Sequence, residues 1–295
     1  MHSRARSVLF TCVLSVLACD SAPPPDPPPL GGDRPVRTFL TPDDWDGKTP
    51  LPLVIVTHGY GIGGLAQVIF LDLSPLVNEH QIMLVAPDGL IDSAGEYYWN
   101  AVDTCCDFDH RGNDDVAYLT GLVKEIASKY PTDLERVYVV GHSNGAAMAM
   151  RLACDASDTF AAVFELAGPF WSSPETQCHP SSPVAMRVLH GTADTDVPYG
   201  GGSAGDVDDL YSPGAQAIAS FWAEKNGCDP TPDTSAPNMD LEAGIAGAET
   251  TVTRFTNCAS GGDTELWSMQ GAGHIPYLQP DFHETVWSFF AAHSK

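Results

Sequence analysis

Short, dense apolar runs alternate along this chain with longer stretches in which apolar residues return every three or four positions. The runs near 36–40, 53–57, 82–86, 136–140, 161–166, 185–190, 250–256 and 264–269 are rich in Val, Ile, Leu and Phe. Strands buried on both faces require that composition. The stretches near 66–79, 114–129, 144–154, 213–226 and 280–293 have the composition and spacing of amphipathic helices. Ser212-Pro213 reads as the cap and first turn of the fourth helix, Gly227 as its stop, and Asn113 as the cap of the second. Alternation of this kind specifies an α/β fold with a mostly parallel central sheet and helices on both faces. The chain has 295 residues and no internal repeat, which suits one large domain over residues 36–295.

One junction between a run and a helix carries candidate chemistry. Val137 to Val140 ends at Gly141-His142-Ser143-Asn144-Gly145, and helical composition resumes at once. A strand that turns directly into a helix forces the serine into a strained backbone, and side chains two residues away on either side would collide. A serine hydroxyl is a poor nucleophile, so it needs an imidazole base and a carboxylate to orient that base. Asp194 follows the run 185–190 in Leu189-His190-Gly191-Thr192-Ala193-Asp194; Asp196 is its competitor and lies farther from the strand end. His274 lies in the glycine-rich Gly271-Ala-Gly273-His274 segment after the last run. His58 and His190, at strand ends, suit hydrogen-bonded core positions instead. The order serine, aspartate, histidine is that of α/β-hydrolases and differs from the chymotrypsin and subtilisin orders.

A tetrahedral oxyanion needs two preorganised donors. The backbone N–H of Asn144, at a helix start, is one candidate. The other is the N–H of Tyr60, in the loop His58-Gly59-Tyr60-Gly61 after the run 53–57. No lysine follows these glycines, which excludes a phosphate-binding P-loop. From about Pro50 to His293 the chain resembles the esterase and polyhydroxybutyrate depolymerase family of α/β-hydrolases, which also holds feruloyl and acetylxylan esterases. The segments that carry the resemblance are His58-Gly59-Tyr60-Gly61, Tyr98-Trp99-Asn100 leading to Cys105-Cys106, Asn113-Asp114-Asp115, Gly141-His142-Ser143-Asn144-Gly145, His190-Gly191-Thr192-Ala193-Asp194 with Val197-Pro198-Tyr199, and Gly273-His274. The resemblance implies an α/β-hydrolase fold, a triad of Ser143, Asp194 and His274, and a carboxylic ester as substrate. Ile275-Pro276-Tyr277 replaces the Thr-Trp-Pro-Gly that many members carry after the histidine, which bears on acyl preference. Aromatic residues in polar, broken segments, Trp99, Phe170 and Tyr199 among them, are expected to rim the substrate cleft.

The remaining features set location and partners. Arg4 and Arg6 precede an apolar stretch from Val8 to Leu17, as in a secretory signal too short to span a membrane. Val16-Leu17-Ala18-Cys19 resembles a lipoprotein cleavage box, so residues 1–19 read as a signal peptide, of lipoprotein type if Cys19 is lipidated and ordinary if it is not. Residues 20–35 are proline-rich and read as a stiff tether. A secreted or cell-envelope protein, anchored to a bacterial membrane and monomeric, is expected. Setting aside Cys12 and Cys19 leaves six of eight cysteines, an even number in an exported chain. Cys228 and Cys258 flank a low-complexity excursion and are expected to pair. A bond between the adjacent Cys105 and Cys106 is disfavoured by their short spacing, so one is expected to reach Cys154 and the other Cys178. The charge of −24 repels phosphates, so nucleic acid is not an expected partner. Asp107-Phe-Asp109-His-Arg111-Gly112 has part of a calcium-loop spacing, but Arg111 and Tyr118 stand where oxygen ligands are needed. No metal or cofactor is expected. The alternatives to an ester hydrolase are a serine peptidase of the same fold and a non-catalytic surface lipoprotein.

Overall fold

The computed structural model describes residues 29–203 and 211–295. The strands are β1 (Thr38–Leu40), β2 (Leu51–Thr57), β3 (Met83–Ala86), β4 (Leu90–Ile91), β5 (Tyr97–Tyr98), β6 (Thr132–His142), β7 (Ala162–Leu166), β8 (Ala185–Gly191), β9 (Gly201–Gly202), β10 (Ser212–Pro213), β11 (Thr250–Phe255) and β12 (Thr264–Met269). The helices are α1 (Gly64–Phe70), α2 (Pro75–Glu79), α3 (Asp115–Lys129), α4 (Asn144–Asp155), α5 (Pro174–Gln177), α6 (Ala215–Lys225) and α7 (Phe282–Ala291). Eight strands form one sheet in the order β1-β3-β2-β6-β7-β8-β12-β11. Its two outermost strands run antiparallel to their neighbours, and the six between them are parallel. This is the mostly parallel α/β architecture that the sequence predicts.

Successive side chains of a strand point to opposite faces, and here both faces are dry. Leu53 and Ile55 of β2 and Val137 and Val139 of β6 join one core cluster with residues of α3, α4 and α6. Val54, Val56, Tyr138 and Val140 join a second cluster with residues of α1, α2 and α7. Each strand therefore reads as a continuous apolar run, since neither face meets water.

Several local readings differ from the structure. The helix expected over 66–79 is two helices, because Asp72 takes a positive φ of 49° and Pro75 begins α2. Ser212-Pro213 pairs with Gly201–Gly202 as a small strand, so Gly214 caps α6. Asp114, and not Asn113, caps α3 by accepting from the Ala117 N–H at 2.8 Å. Asn113 is drawn away by the Tyr98 hydroxyl, which donates to its Oδ1 at 2.7 Å. Residues 29–35, assigned to the tether, already belong to the packed body. Leu30 is buried, the Gly31 N–H donates to Glu125, and Arg34 pairs with Asp115 at 2.6 Å. The signal segment, Cys19 and the rest of the tether lie outside the described residues.

Cys228 pairs with Cys258 as expected. The other pairing is overturned: Cys154 bonds to Cys178, and Cys105 bonds to Cys106. The reason is which elements meet. Cys154 in the last turn of α4 and Cys178 at the end of α5 sit in the same core cluster with Cα atoms 5.1 Å apart, within the usual bridging range. Cys105 and Cys106 instead lie in the loop between β5 and α3. Replacing Cys154 and Cys178 together by serine opens a closure of sequence separation 24. We expect this to lower the unfolding free energy by about 3 kcal/mol, read by urea denaturation; a midpoint unchanged from the wild type would contradict the pairing.

Candidate active site

Ser143 stands between β6 and α4 with φ 57° and ψ −124°. A Cβ on Gly141 would strike the Gly145 carbonyl and the Thr57 hydroxyl, and one on Gly145 would strike the Thr57 and His58 carbonyls. Both glycines are thus fixed by close approach of backbone to backbone, as the motif predicts. The Thr57 hydroxyl donates to the Gly145 carbonyl at 2.8 Å, which ties the end of β2 to the first turn of α4.

The loops after β8 and β12 bring two further groups to this point. His274 Nε2 lies 2.9 Å from Ser143 Oγ, and His274 Nδ1 lies 2.8 Å from Asp194 Oδ2. The three residues nominated by sequence therefore meet at one edge of the sheet, although 131 positions separate Ser143 from His274. Asp196 is not the partner; its N–H and that of Val197 donate to Asp194 Oδ1, both at 2.9 Å. Asp194 Oδ2 also stands 3.3 Å from His190 Nε2, whose proton is shared with the Val197 carbonyl at 2.8 Å. Burial raises the pKa of the Asp194 carboxyl, but bonds from His190, His274 and the Val197 N–H outweigh it and hold the group below the usual carboxylate range. An anion with no exposed side-chain surface is stable here because each oxygen has its donors.

Two buried residues that sequence reasoning passed over act on this network, His142 on His274 and Glu165 on His190. Buried His142 donates through Nε2 to the His274 carbonyl at 2.9 Å, and the rings lie 4.9 Å apart. Burial, with the nearby His274, pushes the His142 pKa down to about 4, so it is a neutral donor at ordinary pH. Glu165 of β7 is fully buried and accepts from the Gly168 N–H at 2.9 Å. Burial lifts its pKa to about 7, opposed in part by His190 and that N–H. Burial lowers the pKa of His190, but the Asp194 bond and the Glu165 charge leave it raised. Neither residue carries a sequence signal beyond its place at a strand end.

The loop after β2 is held just as closely. The Gly59 N–H donates to buried Gln67 at 3.1 Å, and His58 accepts from the Gly89 N–H at 2.8 Å, a buried structural position as expected. Burial pushes the His58 pKa down to about 4. Asn144 exchanges two bonds with the Trp99 backbone, at 2.7 Å and 3.0 Å, and Trp99 Nε1 donates to the His58 carbonyl at 3.1 Å. Asp115 accepts from Arg34, from the Asn100 N–H and from Asn113, which anchors the same turn. Desolvation raises the Asp115 pKa in spite of these donors.

A cleft of about 960 Å³ opens over Ser143. Its lining includes Gly59, Tyr60, Ile62, Cys105, Cys106 and Phe108, together with Thr195, Asp196, Val197, His274 and Ile275. Trp99, Phe170 and Tyr199 are not on it, so their assignment as rim residues is corrected. Trp99 and Phe170 have no exposed surface. Trp99 is drawn inward by its bonds to His58 and Asn144, and Phe170 by the rings of Trp171, Phe221 and Trp222. The Tyr199 hydroxyl is bonded to Ser268 at 2.7 Å. Tyr60 does reach the cleft; its hydroxyl donates to Asp92 at 2.5 Å, and burial with that bond raises its pKa to about 12. Among the described residues, Glu79, His80 and Glu284 have the spacing of metal ligands, but His80 already binds Glu284 at 2.8 Å and none of the three lines the cleft. The carboxylates of Asp107 and Asp109 are engaged by Arg111, Gly112 and Ser93.

Residues 29–239 match the Esterase family model, described as "Putative esterase". The chain belongs to this esterase family. Feruloyl esterase B of Piromyces equi is 30% identical over 182 residues, 60% of this chain and 31% of the relative. The chain spans less than half the length of the curated relatives it matches. Among solved structures, acetyl xylan esterase from Aspergillus awamori superposes with a TM-score of 0.60 at 18% identity, covering 86% of this chain and 92% of that one. Esterase PE8 superposes with a TM-score of 0.52 at 17% identity, covering 86% and 97%. These likenesses establish the α/β-hydrolase fold of this esterase-family chain.

Glu165 supplies a test of how the site is buried. Its folded pKa lies above the unfolded value of 4.5, so its contribution to stability is full below that pH and is lost as pH rises through about 7. Glu165→Gln keeps an acceptor for Gly168 and removes the titration. Its stability relative to wild type is expected to rise by up to about 3 kcal/mol between pH 5 and pH 8; a difference that stays flat in urea titrations at the two pH values would refute the buried carboxyl.

Proposed function

We propose that the protein is a serine carboxylic ester hydrolase that works through an acyl-enzyme on Ser143. The observation that carries this reading is the unbroken chain of contacts from Ser143 Oγ through His274 to Asp194 at the floor of the cleft. Ser143 Oγ attacks the ester carbonyl while His274 Nε2 takes its proton and passes it to the leaving alcohol. Asp194 holds the imidazole by Nδ1 and balances its charge while protonated. Water then attacks the acyl-enzyme through the same base, which releases the acid and restores the serine.

The oxyanion donors in this scheme are the N–H groups of Tyr60 and Asn144. Asn144 is the first residue of α4, where N–H groups have no partner within the helix and the dipole favours negative charge. Tyr60 follows Gly59 on the lining of the cleft. The substrates are feruloyl or acetyl esters on polysaccharide, or hydroxyalkanoate oligomers and polyesters. The names of the feruloyl esterase and acetyl xylan esterase relatives support the first class, and the apolar groups Ile62, Phe108 and Ile275 on the cleft suit either.

The enzyme works outside the cytoplasm, secreted or held at the cell envelope through Cys19. Three disulfides and the apolar stretch that follows Arg4 and Arg6 support export. Ser143→Ala should cut ester turnover about 10⁴-fold or more while leaving the melting temperature within a few degrees of wild type. A fluorophosphonate should label the wild type at Ser143 only. Retained turnover in the variant, or faster cleavage of matched amides than of esters, would overturn the reading.

A further inference from the structure

The Cys105–Cys106 bond cannot be explained as a staple. The other two disulfides close chain separations of 24 and 30 residues and so restrict the unfolded chain, whereas a bond between neighbours closes none. Whatever it contributes must be local, and it lies on the cleft: both cysteines line the cavity over Ser143. Cys106 is almost wholly buried and Cys105 partly so. The loop that carries them is held from behind. The Thr104 hydroxyl donates to the Phe170 carbonyl at 2.8 Å, and Ser172 donates to Asp103 through its N–H at 3.0 Å and its hydroxyl at 2.7 Å. Ile62 and Phe108 line the same cleft, and the Phe108 ring meets Tyr60 edge-on at 5.3 Å.

The proposed reaction gives this wall a role. The leaving alcohol takes its proton from His274 Nε2 and so lies towards His274 and Ile275. The acyl group, bonded to Ser143 and with its oxygen turned to Tyr60, shares the cleft with Phe108, whose ring meets Tyr60, and with the two cysteines. We propose that the Cys105–Cys106 disulfide, with Ile62 and Phe108, forms the acyl-contacting wall of the cleft and sets a preference for extended or flat apolar acyl groups over acetyl. This rests on the assignment of Ser143 as nucleophile. A disulfide presents two polarisable sulfurs and no hydrogen-bond donor, so an apolar acyl group can cover it without stranding a polar atom. Two thiols would rotate independently and offer no fixed face. Contact with a few methylene or ring carbons is enough to matter, since one methylene in an apolar pocket discriminates by roughly tenfold or more.

The test is the double variant Cys105→Ser, Cys106→Ser, assayed with p-nitrophenyl acetate and p-nitrophenyl hexanoate so that the leaving group stays constant. The ratio of kcat/KM for hexanoate to that for acetate should fall about tenfold, with the loss carried by KM for hexanoate. A ratio within twofold of wild type, or equal losses in kcat for both esters, overturns the proposal. Where circular dichroism shows that the variant has not folded, wild-type enzyme is opened with a dithiol instead: one S–S bond breaks, thiols form at 105 and 106, and the dithiol closes to its own disulfide. Alkylation and peptide mapping identify protein opened at that pair alone, which should show the same fall and recover on reoxidation. Free thiols at 105 and 106 before any reductant overturn the proposal as well. Fluorophosphonate labelling of Ser143 separates the two readings. Loss of labelling in the wild type removes the hydrolase assignment, whereas retained labelling with an unchanged ester ratio removes only the role of the disulfide.

Discussion

The first turn of α4 presses backbone to backbone against the end of β2, and the rest of the site is arranged around that contact. Gly141 and Gly145 leave no room for a Cβ between these backbones. Ser143 is held between them at a positive φ, a conformation that costs on the order of 1–3 kcal/mol in a residue with a side chain. Three bonds hold it there: Ser143 N–H to the Leu166 carbonyl at 2.9 Å, Ala147 N–H to the Ser143 carbonyl at 3.0 Å, and the Thr57 hydroxyl to the Gly145 carbonyl at 2.8 Å. Leu166 ends β7 and Thr57 ends β2, the two strands that flank β6 in the sheet, while Ala147 belongs to α4 itself. The same contact that strains the serine brings the His58-Gly59-Tyr60 loop beside it.

Two buried polar networks extend from this point in opposite directions, and each solves one positional problem. The first runs from Arg34 and Asp115 through the Asn100 and Trp99 backbone to Asn144 and the His58 carbonyl. It fixes the loops that flank the serine. The second runs from Asp194 to His274 and on to His142, with His190 against Asp194 from behind. It fixes the imidazole at both its ring and its backbone. Polar groups survive in such an interior only when bonded, so a displacement at one end would strand donors along the chain.

How far the sequence foretold this depends on the kind of information each element uses. The parallel strands were readable because both their faces are dry, so that burial alone writes them as apolar runs. Ser143, Asp194 and His274 were readable because each stands just past such a run and the glycines beside them announce tight backbone. Helix limits were less secure. The reading that joined α1 to α2 followed apolar spacing across a turn that only the positive φ of Asp72 and the proline at 75 reveal. Ser212-Pro213 imitates a helix start, but pairing with Gly201–Gly202 takes precedence over local preference.

The lining of the cleft shows a deeper reason for failure. Trp99 and Phe170 lie in loops that are polar by composition, and a large aromatic ring in a polar segment suggests a surface role. Burial of a side chain, however, is decided by what the loop packs on, and here each loop lies over the core. Asn144 and the His58 carbonyl supply partners for the Trp99 backbone and indole, and Phe221 and Trp222 supply a ring stack for Phe170. With the large rings turned inward, the cleft wall falls to the residues left facing out of the same loops, Cys105, Cys106 and Phe108. No local pattern distinguishes an aromatic that anchors a loop from one that rims a site, because the difference lies in partners contributed by strands and helices distant in sequence.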